Sequence, residues 1–271
     1  MNSASLFKRT AVGGAILLAS AAFSLGASAA ALTVTFDNPI FGLTSDNPRS
    51  DLINLTTYDS GQVSRSIRTN AGRFTGVASE PTSDFKLGLL VDLDIGEAVR
   101  FAMYCYDLDQ YISGGDPVRY TVEFDDELQR TRDFLGAVNA ELNKDKSGNA
   151  VDPYAWLRPG SALAGAAIQI GIWESLYDTN SDWNIANGNF QVQANDLEAK
   201  TSDWLNQFFA RLNNKDFLAL SPESVIVLRS DSKQDMITGD PPGKVPEPGS
   251  LALVAAAGLG LMATRRRRAA K

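Results

Sequence analysis

The chain has 271 residues, enough for one large domain or two small ones, and 44% of them are hydrophobic, a fraction that suits a globular core. Acidic side chains outnumber basic ones 32 to 25, for a net charge of −7, which argues against a nucleic-acid partner. There is no histidine, so imidazole enters no catalytic or metal scheme, and a single cysteine, Cys105, so no disulfide can close within the chain.

At the N-terminus, Lys8 and Arg9 precede an apolar run from Ala11 to Leu25, and Ala27-Ser28-Ala29 forms a small-x-small cleavage site. That order is a secretory signal peptide, so residues 1–29 are expected to be removed by signal peptidase. From Leu32 to Phe124 the pattern is mainly of strands. Leu32–Phe36 alternates apolar and hydroxyl side chains, and 41–60 reads as loop with short strands. Further strands are expected at Gln62–Arg68, Arg73–Val77, Leu87–Asp94, Val99–Tyr106 and Val118–Phe124.

The periodicity then turns helical. Leu128, Phe134, Leu135, Val138 and Leu142 mark a helix between Asp125 and Leu142, with a loop at Lys144–Asn149. Ser161, after Pro159-Gly160, is an N-cap for a helix running to about Tyr177, with Asp178 and Asn180 as breakers beyond it. From Ala162 to Trp173 only Gln169 is polar, and apolar residues fall on every side of the wheel, which predicts a buried central helix. Residues 178–192 read as irregular, Asn195–Leu212 as a third helix, Val225–Leu228 as a buried final strand, and 231–248 as a polar linker. Strands, a block of about three helices and a returning C-terminal strand predict one α+β domain at 30–230 rather than a βαβ array.

Beyond the linker come Pro246-Glu247-Pro248, a short apolar run from Leu251 to Ala263, and the arginines Arg265, Arg266, Arg267 and Arg268. The run falls short of the ~20 residues of a comfortable membrane span, and the arginines would act as a stop that keeps this end in the cytoplasm. Spacer, apolar segment and basic stop resemble the PEP-CTERM sorting signal of Gram-negative bacteria, placed at 249–271 after the Pro-Glu-Pro motif. The resemblance implies processing by an exosortase, transient anchoring in the inner membrane through the C-terminal segment, and delivery to the outer surface or a biofilm matrix. Without both processed ends the basic count falls to 18 against 32 acidic, a net charge of −14.

A lone glutamine in an apolar helix must be hydrogen-bonded, at a cost of roughly 1–3 kcal/mol if it is not, or its amide must be consumed by chemistry. A lone cysteine is a buried small side chain, an intermolecular link, or a reacting group. Tyr104-Cys105-Tyr106-Asp107 on a strand, followed by Ile168-Gln169-Ile170-Gly171-Ile172-Trp173-Glu174 on a helix, resembles the thioester domain of bacterial surface proteins. The resemblance implies an intramolecular thioester with Cys105 as thiol and Gln169 as acyl donor, open to capture of an amine-bearing surface protein or exopolysaccharide. Tyr104, Asp107, Trp173 and Glu174 flank the pair and are the candidates for supporting it. Gly171 stands where the family more commonly has Ala, and Tyr106 is bulkier than the usual small aliphatic residue.

No cofactor or metal is expected. Asp178-Thr179-Asn180-Ser181-Asp182 begins a calcium-loop rhythm, but Trp183 stands where such a loop needs glycine. No nucleophile–base arrangement suggests an enzyme. The expectation is an exported surface or matrix protein, either a covalent adhesin or a non-covalent structural or polysaccharide-binding protein with an inert cysteine.

Overall fold

The computed structural model describes residues 30–41, 50–79, 100–125, 127–143 and 152–239. The signal peptide, the strand expected at 87–94, the loop at 144–149, Pro246, Glu247, Pro248 and Arg265–Arg268 lie outside the described residues. Nine strands and three helices make an α+β fold: β1 Ala31–Phe36, β2 Asp51–Asp59, β3 Gln62–Ala71, β4 Phe74–Ser79, β5 Arg100–Cys105, β6 Pro117–Glu123, α1 Gln129–Leu142, α2 Ala162–Tyr177, β7 Phe190–Val192, α3 Ala199–Asn213, β8 Ile226–Arg229 and β9 Met236–Thr238.

Six strands close an antiparallel barrel in the order β1-β4-β5-β9-β8-β6, and the remaining three form a sheet in the order β3-β2-β7. The period-two stretches of the sequence become β1, β4, β5 and β6, whose inward residues Leu32, Val34, Phe36, Tyr104 and Tyr120 are almost wholly buried. β2 and β3 form a hairpin whose two turn residues, Ser60 and Gly61, both have positive φ (50° and 78°), as a tight turn matched to strand twist requires.

Three expectations change. The stretch 41–60, read as loop with short strands, carries the nine-residue strand β2, because Ile53 and Leu55 alternate with polar residues that face outward. The irregular stretch 178–192 ends in β7, which pairs with β2 through Leu55↔Val192 and Thr57↔Phe190. The final strand is β9, inside the stretch read as linker. It is three residues long, its Met236 and Ile237 are fully buried, and it joins β5 to β8 to close the barrel.

The helix at 162–177 is the centre of the molecule. Ser161 caps it by accepting a hydrogen bond from Ala164 N–H, and every residue from Leu163 to Ser175 is buried. It packs against α1 and α3 on one side and against the β3-β2-β7 sheet on another. That enclosure on several sides is why its apolar residues surround the wheel instead of forming a stripe. At Gly171 the helix meets the Phe134 ring of α1 so closely that a Cβ would lie 2.0 Å from Cζ. The small residue at this point of the motif is therefore set by helix packing.

Candidate functional site

Cys105 is the last residue of β5, where the strand leaves β4 and pairs with β9 through Cys105↔Met236. The strand is buried on both faces, since Ala102, Met103, Tyr104 and Cys105 all lie inside. The middle of α2 runs past this strand end and brings Gln169, fully buried, to Cys105 across 64 positions of sequence. Cys105 N–H donates to Gln169 Oε1 at 2.7 Å, and Gln169 Nε2 donates to Cys105 C=O at 2.9 Å. The carboxamide thus closes a two-point ring with the main chain of the cysteine. At the end of β5 these two groups are satisfied by a side chain, and one residue resolves the polar burden of both helix and strand.

The Cys105 thiol is hydrogen-bonded by the Gln234 side chain, from the turn between β8 and β9. Burial first, and then the nearby Asp107 carboxylate, push the thiol well above its ordinary range, opposed by its own backbone N–H and by Gln234. Gln234 is itself fixed. Its Nε2 donates to Asp107 C=O at 2.5 Å, and its carbonyl accepts from the buried Tyr120 hydroxyl at 2.9 Å. The sequence gave no sign of Gln234, because it lies in a polar stretch whose only cue is an Asp-Ser-Lys turn.

The flanking candidates divide. Tyr104 packs away from the pair: its hydroxyl donates to Trp156 C=O at 2.8 Å, its ring stacks on Trp156 at 5.8 Å, and burial raises its phenol. Asp107 shapes the turn after β5. Its Oδ1 accepts from Asp109 N–H and Gln110 N–H at 2.9 and 3.2 Å, and its Oδ2 accepts from Asp235 N–H at 2.9 Å. Trp173, one turn beyond Gln169 on α2, is 1% exposed and lies at the pair. It lines with Cys105, Gln110 and Gln234 a cavity of about 290 Å³ that reaches the exposed Tyr111.

Glu174 is not brought to the pair. It is buried among Arg130, whose Nη2 lies 3.5 Å from Oε1, and Asn184, whose N–H donates to the same oxygen at 3.3 Å. Burial, with Asp178 adding, pushes its carboxyl up to about 8, against the Asn184 hydrogen bond and the Arg130 charge. The loop that began a calcium rhythm is held by the same guanidinium. Arg130 Nη1 donates to Asn180 C=O at 2.6 Å, Nη2 to Asp182 C=O at 3.2 Å, and the group lies 3.9 Å over the Trp183 ring. Among the described residues no group of three or more His, Cys, Asp or Glu is placed to hold a metal ion, and no helix is long and apolar enough to cross a membrane.

No curated protein and no solved structure matches the chain. Residues 244–268 match the PEP-CTERM protein-sorting motif. The chain carries that motif at the position read from Pro246-Glu247-Pro248, the apolar run and the four arginines, and is an exported protein sorted by an exosortase.

Proposed function

We propose that the globular domain forms an intramolecular thioester between Cys105 and Gln169 and uses it once, to bind an amine-bearing target covalently at the cell surface or in the extracellular matrix. The sulfur replaces the side-chain nitrogen of Gln169 and ammonia leaves. A primary amine then attacks the acyl carbon, an amide forms, and Cys105 is released as the thiol. Nothing turns over, so the protein is not an enzyme in this reading. The C-terminal apolar segment would hold the chain in the inner membrane until the exosortase acts.

The observation that carries the reading is the reciprocal hydrogen-bonded contact between the Gln169 carboxamide and the Cys105 peptide groups, at 2.7 and 2.9 Å. It keeps the acyl group beside the only thiol of the chain and needs no further partner. Burial suits the chemistry, because a site that disfavours thiolate favours the uncharged sulfur of a thioester over the products of hydrolysis. The same two hydrogen bonds also favour a second reading, in which Gln169 is a structural bridge, Cys105 is inert and the protein is a non-covalent matrix component.

Intact mass separates the two. The thioester predicts a mature chain lighter than its sequence by one ammonia, converted by methylamine to a chain carrying one methylamide, with neither change in Cys105→Ala or Gln169→Ala. A chain of full sequence mass, prepared without denaturant and unchanged by methylamine, would falsify the thioester and leave the structural bridge.

A further inference from the structure

Two polar groups in the cavity wall beside Cys105 are buried without a partner. The indole N–H of Trp173 donates to nothing, and Oε1 of Gln110 accepts from nothing. Buried donors and acceptors are paired in the large majority of cases, so an orphan of each kind beside one thiol calls for a cause. Neither is a product of looseness. Trp173 sits in the fully buried α2, and the segment bearing Gln110 is pinned by its own N–H on Asp107 Oδ1 and by Leu108 N–H on the Tyr177 hydroxyl at 3.0 Å.

We propose that these two groups are the complement of the reacting atoms: Trp173 N–H donates to the acyl oxygen of the Gln169 thioester, and Gln110 Oε1 accepts a hydrogen bond from the attacking amine. The inference rests on the thioester proposed above. Trp173 follows Gln169 by four residues, so the two share a helix face and the indole lies one turn from the acyl group. A donor fixed before reaction and aimed at an oxygen that gains negative charge lowers the barrier without reorganisation. As the amine nitrogen bonds to the acyl carbon, the C–S bond breaks with its electron pair going to sulfur, and one amine proton passes to that sulfur. Gln234, already on the sulfur, donates to it as charge leaves. An amide oxygen is too weak a base to take a proton, so Gln110 orients the amine rather than deprotonating it.

The test follows methylamine capture by intact mass, on the mature chain, over a range of amine concentrations. Trp173→Phe keeps an aromatic ring and removes the donor; the maximal rate of capture should fall about 10²-fold, as for loss of one oxyanion donor, with the ammonia deficit still present at time zero. Gln110→Leu should raise the half-saturating methylamine concentration about fivefold and leave the maximal rate intact, the loss of one neutral hydrogen bond in binding. A wild-type chain lacking one ammonia whose two variants react at the wild-type rate overturns this inference alone; a wild-type chain of full sequence mass removes the thioester and this inference together. If Trp173→Phe does not fold, the Trp173 indole proton resonance decides. A downfield shift in the thioester chain relative to Gln169→Ala supports the assignment, and an unchanged position overturns it.

Discussion

The carboxamide of Gln169 substitutes for a neighbouring strand at the end of β5, taking both the N–H and the C=O of Cys105. An arrangement usually made by two backbones is here made by a helix side chain to a backbone. Its consequence is an asymmetry between the two residues of the pair.

Where no covalent bond has formed, Gln169→Ala strands a buried donor and a buried acceptor, at about 1–3 kcal/mol each, and leaves a cavity besides. Cys105→Ala keeps both hydrogen bonds and removes one sulfur, for about 1 kcal/mol. Denaturant unfolding of the two variants and of wild type treated with methylamine should therefore place Gln169→Ala lowest by at least about 2 kcal/mol. Equal midpoints for the two variants would mean that the ring of hydrogen bonds contributes nothing measurable.

Gly171 carries a second prediction. A methyl group at this position meets the Phe134 ring, which is fully buried and packed against Trp183, Phe208 and Phe209 at centroid distances of 5.9, 6.1 and 6.3 Å and so has little room to move. Alanine gains about 1 kcal/mol in helix propensity, while overpacking of this kind costs about 1–3 kcal/mol. Gly171→Ala should thus be destabilised by about 1–2 kcal/mol in thermal unfolding, and adding Phe134→Leu should recover part of the loss. A stabilised single variant would show that α1 and α2 can separate at this contact.

The buried Glu174 sets a pH dependence. Its folded-state value of about 8 lies above the ordinary 4.5, so the native state holds a proton that the unfolded chain releases. The contribution is fully present below about pH 4.5 and is lost as pH rises toward and through about 8. Each unit is worth about 1.4 kcal/mol, so wild type should lose roughly 2–5 kcal/mol over that range relative to Glu174→Gln. Urea unfolding of both chains from pH 5 to pH 9 checks this. Parallel profiles would show that Arg130 holds Glu174 ionised throughout.

The limits of the helix at 162–177 were legible in the sequence because they are local: a Ser161 cap three residues before the amide it accepts from, and a breaker at Asp178. The sorting motif was legible for the same reason, since Pro-Glu-Pro, an apolar run and four arginines act in sequence order. The acidity and the solitary thiol were matters of composition. β9 was missed because three residues are too short to show a period, and their strand character comes from the β5 and β8 edges on either side. β7 depends in the same way on β2. Within the site, Cys105 and Gln169 stood out by type and setting, and Trp173 by its place in the motif. Glu174 stood beside them in sequence but faces Arg130, because the turn of a helix carries the residue after Trp173 to another side. Gln110 and Gln234 had no signature at all. They reach Cys105 from loops folded back by Asp107 and Tyr120, so the sequence determined the elements and the reactive pair, while only tertiary packing decided what surrounds the sulfur.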